Sequence, residues 1–390
     1  MEAHHTMYAL ERKAIGALAG AAVGDALGGA TEGWTPQQIF DRHSGPVTGI
    51  VGPFLPDWRE ARPASPYHKG DGHVTDDTLM TNLLVKVYQT KRDHLDAYDA
   101  ADLLVPLMNG EVVWIPELER ATVPLIRLFL AEKWLVSRLF YGHADPREAG
   151  VGNMVNCGAA MYSAPIGVAN AGNPRAAYAE AIDLTGAHQS SYGREAAGVF
   201  AAAVAAAFRP GATVGSVIET ALDVAHDGTR GAIEAVCARA AELAADGVNT
   251  VDAAVPLRAA MAPFDTVGEA YRDPGLGARR PSRLHSIEEL PLALAMLVIG
   301  KGDYRESVLG GVNYGRDSDS IATMSGAICG ALHGVEGVPA EWVEAVGTAS
   351  RLDLEAGGLA MAGVAREIFR RDRDRSAAAA AAFTEVAEGR

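Results

Sequence analysis

Four glycines at a spacing of four residues lie in an apolar stretch near the start of the chain, from about Met7 to Gly28. In an α-helix this spacing places Gly16, Gly20, Gly24 and Gly28 on nearly one face. A glycine inside a helix costs about 1 kcal/mol relative to alanine, so four of them indicate close packing by another backbone. The alternative is a poor helix or a loop. The stretch therefore predicts a helix against which a second backbone packs closely.

Helix signals recur along the rest of the chain. Thr35-Pro36 and Asn173-Pro174 each combine an N-cap with proline at the first helical position. Ser286 opens a capping box, SIEE, before the apolar run PLALAMLVIG. Alanine-rich stretches predict further helices at 195–207, 213–225 and 229–245. No run of alternating β-branched residues is long enough to predict a strand, and aromatic residues make up only 6% of the chain. The predicted fold class is all-α.

One domain is predicted to contain all of these helices. No internal repeat or linker separates two cores, so residues 1–371 form the predicted domain. Residues 372–390 are charged and then alanine-rich, and they are predicted to form a peripheral or frayed helix. Two segments rich in proline and glycine, 52–74 and 262–285, are predicted to be loops. Long loops of this kind are candidate walls of a substrate cleft.

Charge and cysteine content exclude several classes of protein. The formal net charge is −15, from 34 basic and 49 acidic residues, which opposes non-specific binding to nucleic acid or to an anionic membrane. The N-terminus lacks an apolar stretch with a cleavage site, and no segment reaches 18 apolar residues without a charge. Cys157, Cys237 and Cys329 are too few and too scattered for a disulfide framework or a thiolate zinc site. They are predicted to be buried free thiols, and the chain is expected to be cytoplasmic.

Two acidic blocks stand where apolar helices are predicted to begin. TDDT at 75–78 precedes LMTNLLVKVY, and DSDS at 317–320 precedes IATMSGAICGALHG. Helix capping accounts for one or two such residues in each block, yet each block offers four. Carboxylate and hydroxyl oxygens are hard ligands that favour magnesium, manganese or calcium over zinc. If the two helix starts meet in space, they form a divalent-cation site. The alternative is two helix N-caps that simply contain more polar residues than capping requires.

Four blocks of the sequence together resemble the ADP-ribosylglycohydrolase family. Three look like the signature blocks of that family: GALAGAAVGDALGGATEGW at 16–34, GHVTDDTLM at 72–80 and GGVNYGRDSDSIATMSGAICGALHG at 310–334. The fourth, VNCGAAMYSAPIGVANAG at 155–172, resembles its glycine-alanine segment, and His188 lies where the family usually has a Thr-His pair. The blocks occur in the family's order, so the resemblance covers most of the chain.

The resemblance implies a compact multi-helix, all-α fold with two Mg²⁺ ions in a central cleft, Mn²⁺ being a possible substitute. The metal ligands it implies are Thr75, Asp76, Asp77, Asp317, Asp319 and Ser320. Ser320 stands where the family commonly has threonine, and it keeps the hydroxyl. Glu32 matches a glutamate on a loop at the metal site that has a catalytic role, and Asp317 is the other candidate base. Asp25 is predicted to be structural and to bond a backbone or a neighbouring helix.

The resemblance also implies a substrate pocket, and the chain departs from the family beside it. The implied pocket residues are Asn156, Gly158, Met161 and His188. Tyr162 replaces an arginine common in the family, and Arg316 replaces a glycine. A guanidinium at position 316 must be solvated, paired with an acid, or aimed at substrate, where its fork suits a phosphate or an acidic leaving group. The alternative is that it narrows the space for the diphosphate and adenosine. The remaining histidines show no paired metal spacing and are predicted to be surface or core residues.

Three functional hypotheses follow from the resemblance. The first is metal-assisted hydrolysis that removes ADP-ribose from a protein side chain, with arginine as the expected acceptor. The second is hydrolysis of a small ribosylated metabolite or nucleoside, which Tyr162 and Arg316 favour. The third is a non-catalytic ADP-ribose-binding or structural homologue, which the intact set of acidic ligands opposes. The implied partner is an ADP-ribosylated protein or a small ribosylated substrate, with no nucleic acid and no membrane.

Overall fold

Helices form almost all of the regular structure in the computed structural model, which describes residues 7–60, 68–265 and 286–389. In chain order the helices are α1 (Ala9–Gly28), α2 (Pro36–His43), α3 (Asp76–Lys91), α4 (Ala97–Asp99), α5 (Val105–Gly110), α6 (Leu130–Val136), α7 (Ala164–Ala169), α8 (Pro174–Thr185), α9 (Ser191–Ala207), α10 (Val214–Val224), α11 (Asp227–Ala245), α12 (Ala254–Met261), α13 (Ser286–Ile299), α14 (Tyr304–Tyr314), α15 (Ser318–His333), α16 (Ala340–Ser350) and α17 (Ala356–Glu388). A short hairpin of β1 (Val113–Ile115) and β2 (Arg120–Thr122) pairs antiparallel, with Trp114 opposite Ala121. The all-α prediction is confirmed.

The glycine face of α1 packs directly on the backbone of α15. A methyl group at Gly20 would lie 2.5 Å from the carbonyl oxygen of Gly326, and one at Gly16 would collide with the carbonyl oxygen of Gly330. The reverse also holds, because a methyl group at Gly330 would collide with Gly16. The close helix packing predicted from the glycine spacing is therefore confirmed. This contact holds the end of α1 against the start of α15.

We expect Gly330→Ala to destabilise the protein, because its methyl group has no space against α1. The expected loss is about 3 kcal/mol of unfolding free energy, at the upper end for overpacking a core. Gly363→Ala, within α17, is the matched control, since a methyl group there meets no atom within 4 Å. That variant should gain up to about 1 kcal/mol, because it removes a glycine from a helix. Denaturant unfolding of both variants measures the difference, and equal effects would contradict the packing described.

Helices α1 and α9 both lie in the buried core. The segment Ala9–Thr31 is long and apolar enough to cross a membrane by composition, but its most apolar window is entirely buried within the protein. Its apolarity is thus explained by its central position. In α9 every residue from Ala196 to Ala207 is buried, and its small alanine side chains let α7, α8, α10 and α13 approach it.

The predicted element bounds agree with the structure in most places. Helices α9, α10 and α11 match the predictions at 195–207, 213–225 and 229–245 to within a few residues. The hairpin was not predicted, because three-residue strands are too short to show alternation. The predicted tail continues α17 as far as Glu388 and is exposed from residue 373. Parts of both predicted loops, 61–67 and 266–285, and the side chain of Ser286 lie outside the described residues.

Candidate metal centre

The two acidic blocks lie together in the folded chain. Thr75 is the N-cap of α3, and its hydroxyl accepts a hydrogen bond from the backbone N–H of Asp77 at 3.3 Å. Asp317 holds the N-cap position of α15, but its side chain makes no capping hydrogen bond. The hydroxyl of Ser320 donates to Oδ1 of Asp77 at 3.2 Å and joins the two helix starts. Capping therefore explains Thr75 but not the carboxylate of Asp317.

Three buried aspartates, Asp25, Asp77 and Asp319, form what we term the aspartate cluster. One carboxylate oxygen from each lies within 4.8 Å of the other two. Asp25 comes from the last turns of α1, and it accepts hydrogen bonds from the backbone N–H of Thr75 at 2.9 Å and of Thr78 at 3.1 Å. It also accepts bonds from both threonine hydroxyls. The structural bonding predicted for Asp25 is present, and the same residue also belongs to the cluster.

The carboxylates of this region repel one another. Burial raises the pKa of Asp77 well above its usual range, and the charges of Asp319 and Asp25 raise it further. Burial likewise raises the pKa of Asp317, with Asp319 as the next cause. Burying several carboxylates side by side is unfavourable unless a positive charge lies among them. A divalent cation with oxygen ligands is the group that this set of donors fits.

His68 lies at the edge of the aspartate cluster, and the sequence analysis did not identify it. Its Nε2 is 2.9 Å from Oδ2 of Asp319 and 3.6 Å from Oε2 of Glu32, and its Nδ1 is 3.2 Å from Oε1 of Glu117. Burial lowers the pKa of His68, but Glu117 and Asp319 outweigh burial and raise it well above its usual range. His68 therefore links Asp319 and Glu32 on one side of its ring to Glu117 on the other. A lone histidine in a proline-rich segment carries no spacing signal that could have revealed this position.

Behind His68, a buried ion pair between Arg127 and Glu117 supports the site. Nε of Arg127 donates to Oε2 of Glu117 at 2.5 Å, and its Nη1 lies 3.4 Å from Oδ1 of Asp76. Both Arg127 and Glu117 are about 1% exposed. Burial raises the pKa of Glu117, but Arg127 and His68 together lower it to about 2. This pair orients Asp76 and His68 from outside the cluster.

We expect Arg127→Gln to destabilise the protein by about 3 kcal/mol, because it leaves Glu117 buried without its main partner. The pKa of Glu117 in the folded protein lies below its ordinary value of 4.5. Its contribution to stability is therefore present above pH 4.5 and is lost as the pH falls towards 2. In the variant this pH-dependent component should shrink. Unfolding free energies measured across that range test both effects.

The exposed pair of Arg147 and Asp145, at 2.6 Å, supplies the control for this prediction. Arg147→Gln should cost less than about 1 kcal/mol, because surface ion pairs contribute little. If Arg127→Gln costs no more than Arg147→Gln, the buried pair does not support the site.

A second group of ligand-type atoms, which we term the thiol cluster, comprises Cys157, Glu289 and Asp317. Their ligand atoms all lie within 4.8 Å of one another, and all three residues are buried. Sγ of Cys157 donates to Oδ2 of Asp317 at 3.0 Å and lies 3.3 Å from Oγ of Ser320. All three cysteines are free and buried, as predicted. The position of Glu289 was missed, since the sequence offers it only as part of a capping box.

The predicted pocket residues are buried beside the thiol cluster. Asn156 accepts hydrogen bonds at Oδ1 from the backbone N–H of Gly158 at 3.1 Å and from Gln189 at 2.8 Å. His188 lies between the hydroxyl of Tyr162, 3.1 Å from Nδ1, and Oε1 of Glu132, 3.3 Å from Nε2. Met161 is also buried. Their contact with a substrate stays a prediction.

Arg316 is paired with acids, which is one of the three arrangements expected of it. Its Nε donates to Oε2 of Glu288 at 2.8 Å, and its Nη2 lies 3.1 Å from Oδ2 of Asp265. Its backbone N–H donates to the carbonyl of Trp34 at 2.9 Å, and its own carbonyl accepts from Gly33. Arg316 therefore holds the segment that follows Glu32. A direct contact of Arg316 with substrate remains a prediction.

Glu32 lies between the short 3₁₀ turn Gly29–Thr31 and α2. Its side chain is 14% exposed, compared with 5% for Asp319 and His68. It is thus the more solvent-accessible carboxylate at this edge of the aspartate cluster. Glu32 and the predicted ligand Asp319 both contact Nε2 of His68.

Fold and site together define the class: a protein of the all-α class with a buried carboxylate centre suited to divalent cations. The family model of the ADP-ribosylglycohydrolases matches residues 6–378. The chain belongs to the ADP-ribosylglycohydrolase family and is therefore an enzyme that hydrolyses glycosidic bonds.

Relatives of the chain agree with this membership. The uncharacterised protein YegU of Escherichia coli K12 is 24% identical over 89% of this chain and 96% of its own length. The ADP-ribosylarginine hydrolase Tri1 of Pseudomonas putida GB-1 is 25% identical over 87% of this chain and 75% of its own length. A solved ADP-ribosylglycohydrolase-related protein complex has a TM-score of 0.56 at 20% identity, covering 91% of this chain and 99% of that one. The last comparison bears on the fold alone.

Proposed function

We propose that the protein is a magnesium-dependent hydrolase that removes ADP-ribose from protein side chains, with arginine as the acceptor. The proposal rests on family membership and on the similarity to a relative named as an ADP-ribosylarginine hydrolase. The structural observation that carries it is the aspartate cluster, in which α1, α3 and α15 each contribute one buried carboxylate. An all-oxygen set of this kind suits Mg²⁺, with Mn²⁺ as a substitute.

In this proposal some residues bind the cations and others transfer protons. The aspartate cluster, with Asp317 and the hydroxyl of Ser320, would hold the ions. Bound divalent ions supply Lewis-acid chemistry, which orients hydroxyl groups and stabilises developing charge. Glu32 would accept a proton from the attacking water, because it lies at the accessible edge of the cluster. Asp317 is the second candidate for that step.

The buried groups around these acids would position them. His68 contacts both Glu32 and Asp319, so it would set the distance between the base and the cation site. The Arg127–Glu117 pair keeps His68 in place. A rigid arrangement of this kind is needed because small displacements of reacting groups lower the rate steeply.

The test is hydrolysis of three substrates: an ADP-ribosyl-arginine protein, an ADP-ribosyl-serine peptide and simple ribosides. Each is assayed with Mg²⁺, with Mn²⁺ and after exhaustive chelation. We expect release of ADP-ribose from arginine with Mg²⁺ or Mn²⁺ and none after chelation. Undiminished turnover in chelator would contradict cation dependence. Turnover of ribosides alone would replace the proposed substrate with a small metabolite, and no turnover of any substrate would favour a non-catalytic homologue.

A further inference from the structure

Glu132 is a buried carboxylate whose oxygens make no hydrogen bond within the part of the chain that the structure describes. It lies in α6, and its side chain is only 1% exposed. Neither Oε1 nor Oε2 has a hydrogen-bond partner among the described residues. Nε2 of His188 lies 3.3 Å from Oε1, but the two atoms do not meet in hydrogen-bonding geometry. A buried charge without hydrogen bonds is costly, so Glu132 needs an explanation other than stability.

Other buried glutamates of this protein are hydrogen-bonded. Glu180 accepts bonds from the hydroxyl of Tyr88 at 2.6 Å and from the side-chain amide of Asn170 at 2.6 Å. Glu117 belongs to the buried ion pair that supports the metal centre. Glu132 differs from both, because its two acceptor oxygens remain available to a further donor.

Glu132 lies directly against the turn that carries the predicted pocket residues. A methyl group at Gly158 would be 2.6 Å from Oε1 of Glu132 and 3.0 Å from Oδ1 of Asn156. The residue before Gly158 reaches the metal centre, since Sγ of Cys157 donates to Oδ2 of Asp317 at 3.0 Å. Cys157 and Gly158 therefore connect the unbonded carboxylate to the candidate metal centre.

We propose that Glu132 binds a guanidinium group of the substrate and thereby selects arginine as the acceptor of ADP-ribose. An ionised carboxylate only accepts hydrogen bonds, and its two oxygens match two parallel N–H groups of a guanidinium. The same charge repels a phosphate. In ADP-ribosyl-arginine the guanidinium is bonded to the anomeric carbon of the ribose, so it lies close to whatever centre holds that ribose. The inference rests on the proposed function and adds the residue that recognises the acceptor.

A binding role for Glu132 predicts that its charge favours ligand binding and not the stability of the free protein. Glu132→Gln should weaken the binding of methylguanidine by at least about 30-fold, the lower end of the effect of removing one partner of a buried charge pair. The melting temperature should stay the same or rise, because the variant no longer buries a charge without hydrogen bonds. Glu148→Gln, which removes an exposed carboxylate between α6 and the pocket turn, should change neither quantity.

The experiment uses full-length protein supplied with Mg²⁺, in the parent, Glu132→Gln and Glu148→Gln forms. Each form is titrated calorimetrically with methylguanidine and, separately, with ribose, and its melting temperature is measured. Hydrolysis of an ADP-ribosyl-arginine peptide is followed in parallel. We expect kcat/KM for this peptide to fall by at least about 30-fold in Glu132→Gln, matching the loss of methylguanidine binding, while ribose binding is unchanged.

The outcomes separate this inference from the proposed function. Loss of methylguanidine binding in Glu132→Gln, with the melting temperature retained, supports the inference. Equal binding of methylguanidine by the parent and Glu132→Gln overturns it, even where the parent hydrolyses ADP-ribosyl-arginine. A marked fall in melting temperature assigns Glu132 to a structural pair with His188 and also overturns it, as does loss of ribose binding in place of methylguanidine binding. Absence of hydrolysis by the parent overturns the proposed function, and the calorimetric result still decides whether Glu132 binds a guanidinium.

Discussion

Asp319→Asn is expected to abolish hydrolysis and to remove most of the bound Mg²⁺ or Mn²⁺. Asp319 contributes an oxygen to the aspartate cluster and lies 2.9 Å from Nε2 of His68. Asparagine keeps the shape of the side chain, but it removes the negative charge and replaces one acceptor oxygen with a donor. We expect kcat/KM to fall by at least about 10³-fold, equivalent to about 4 kcal/mol of transition-state stabilisation.

The helical content of Asp319→Asn should remain close to that of the parent, because its change lies at the site and not in the packed core. Asp303→Asn is the control: Asp303 also stands at a helix start, where it caps α14, but it is exposed and belongs to neither cluster. That variant should lose about 1 kcal/mol of stability at most and keep its activity. Metal content and circular dichroism are measured beside kcat/KM. If Asp319→Asn binds Mn²⁺ as tightly as the parent does, the aspartate cluster is not the cation site.

Glu32→Gln is expected to lower kcat by about 10²- to 10⁴-fold, the range typical of losing a positioned general base. The variant keeps the shape of the side chain and removes its ability to take a proton. Glu32 lies on a partly exposed loop and not in the core, so the unfolding free energy should change little. Unlike Asp319→Asn, this variant should bind metal ions with nearly the affinity of the parent.

Glu119→Gln provides the matched control for Glu32→Gln. Glu119 is an exposed carboxylate that pairs with Lys69 at 2.9 Å, and its loss should leave kcat unchanged. Measurements of kcat, KM and metal affinity for both variants separate a proton-transfer role from a binding role. If Glu32→Gln turns over substrate as fast as the parent, Glu32 is a bystander, and Asp317 becomes the base to test.

Local patterns in the sequence were sufficient wherever the relevant residues are close together along the chain. The four-residue spacing of Gly16, Gly20, Gly24 and Gly28 predicted a close helix contact because helical geometry converts spacing into a face. The blocks at 75–78 and 317–320 were predicted to stand where helices begin, and α3 and α15 do begin there, because these residue types favour helix starts. That they offer hard ligands stays a prediction. The four blocks that resemble the family lie at 16–34, 72–80, 155–172 and 310–334. Their order was enough to indicate the family, and the family model confirms it.

The residues that the sequence analysis missed are those whose role depends on neighbours far away in the chain. His68 has no significance until folding places it 2.9 Å from Asp319. Arg127 and Glu117 form a buried pair only because folding brings the turn between β1 and β2 against the segment that follows β2. No short-range pattern reports such contacts, since side chains that meet in space can be separated by any number of residues.

What the sequence determined by itself is therefore the helical class, the glycine contact face and the presence of two acidic helix starts. Tertiary structure alone decided which acids share a site, and it added Asp25 and Glu289 to the carboxylates. It also placed Cys157 against Asp317. Arg316 was paired with Glu288 and Asp265 in the same way. The physical reason is that helix formation depends on local geometry and residue type, whereas a metal centre depends on distances of a few ångströms between residues from separate helices.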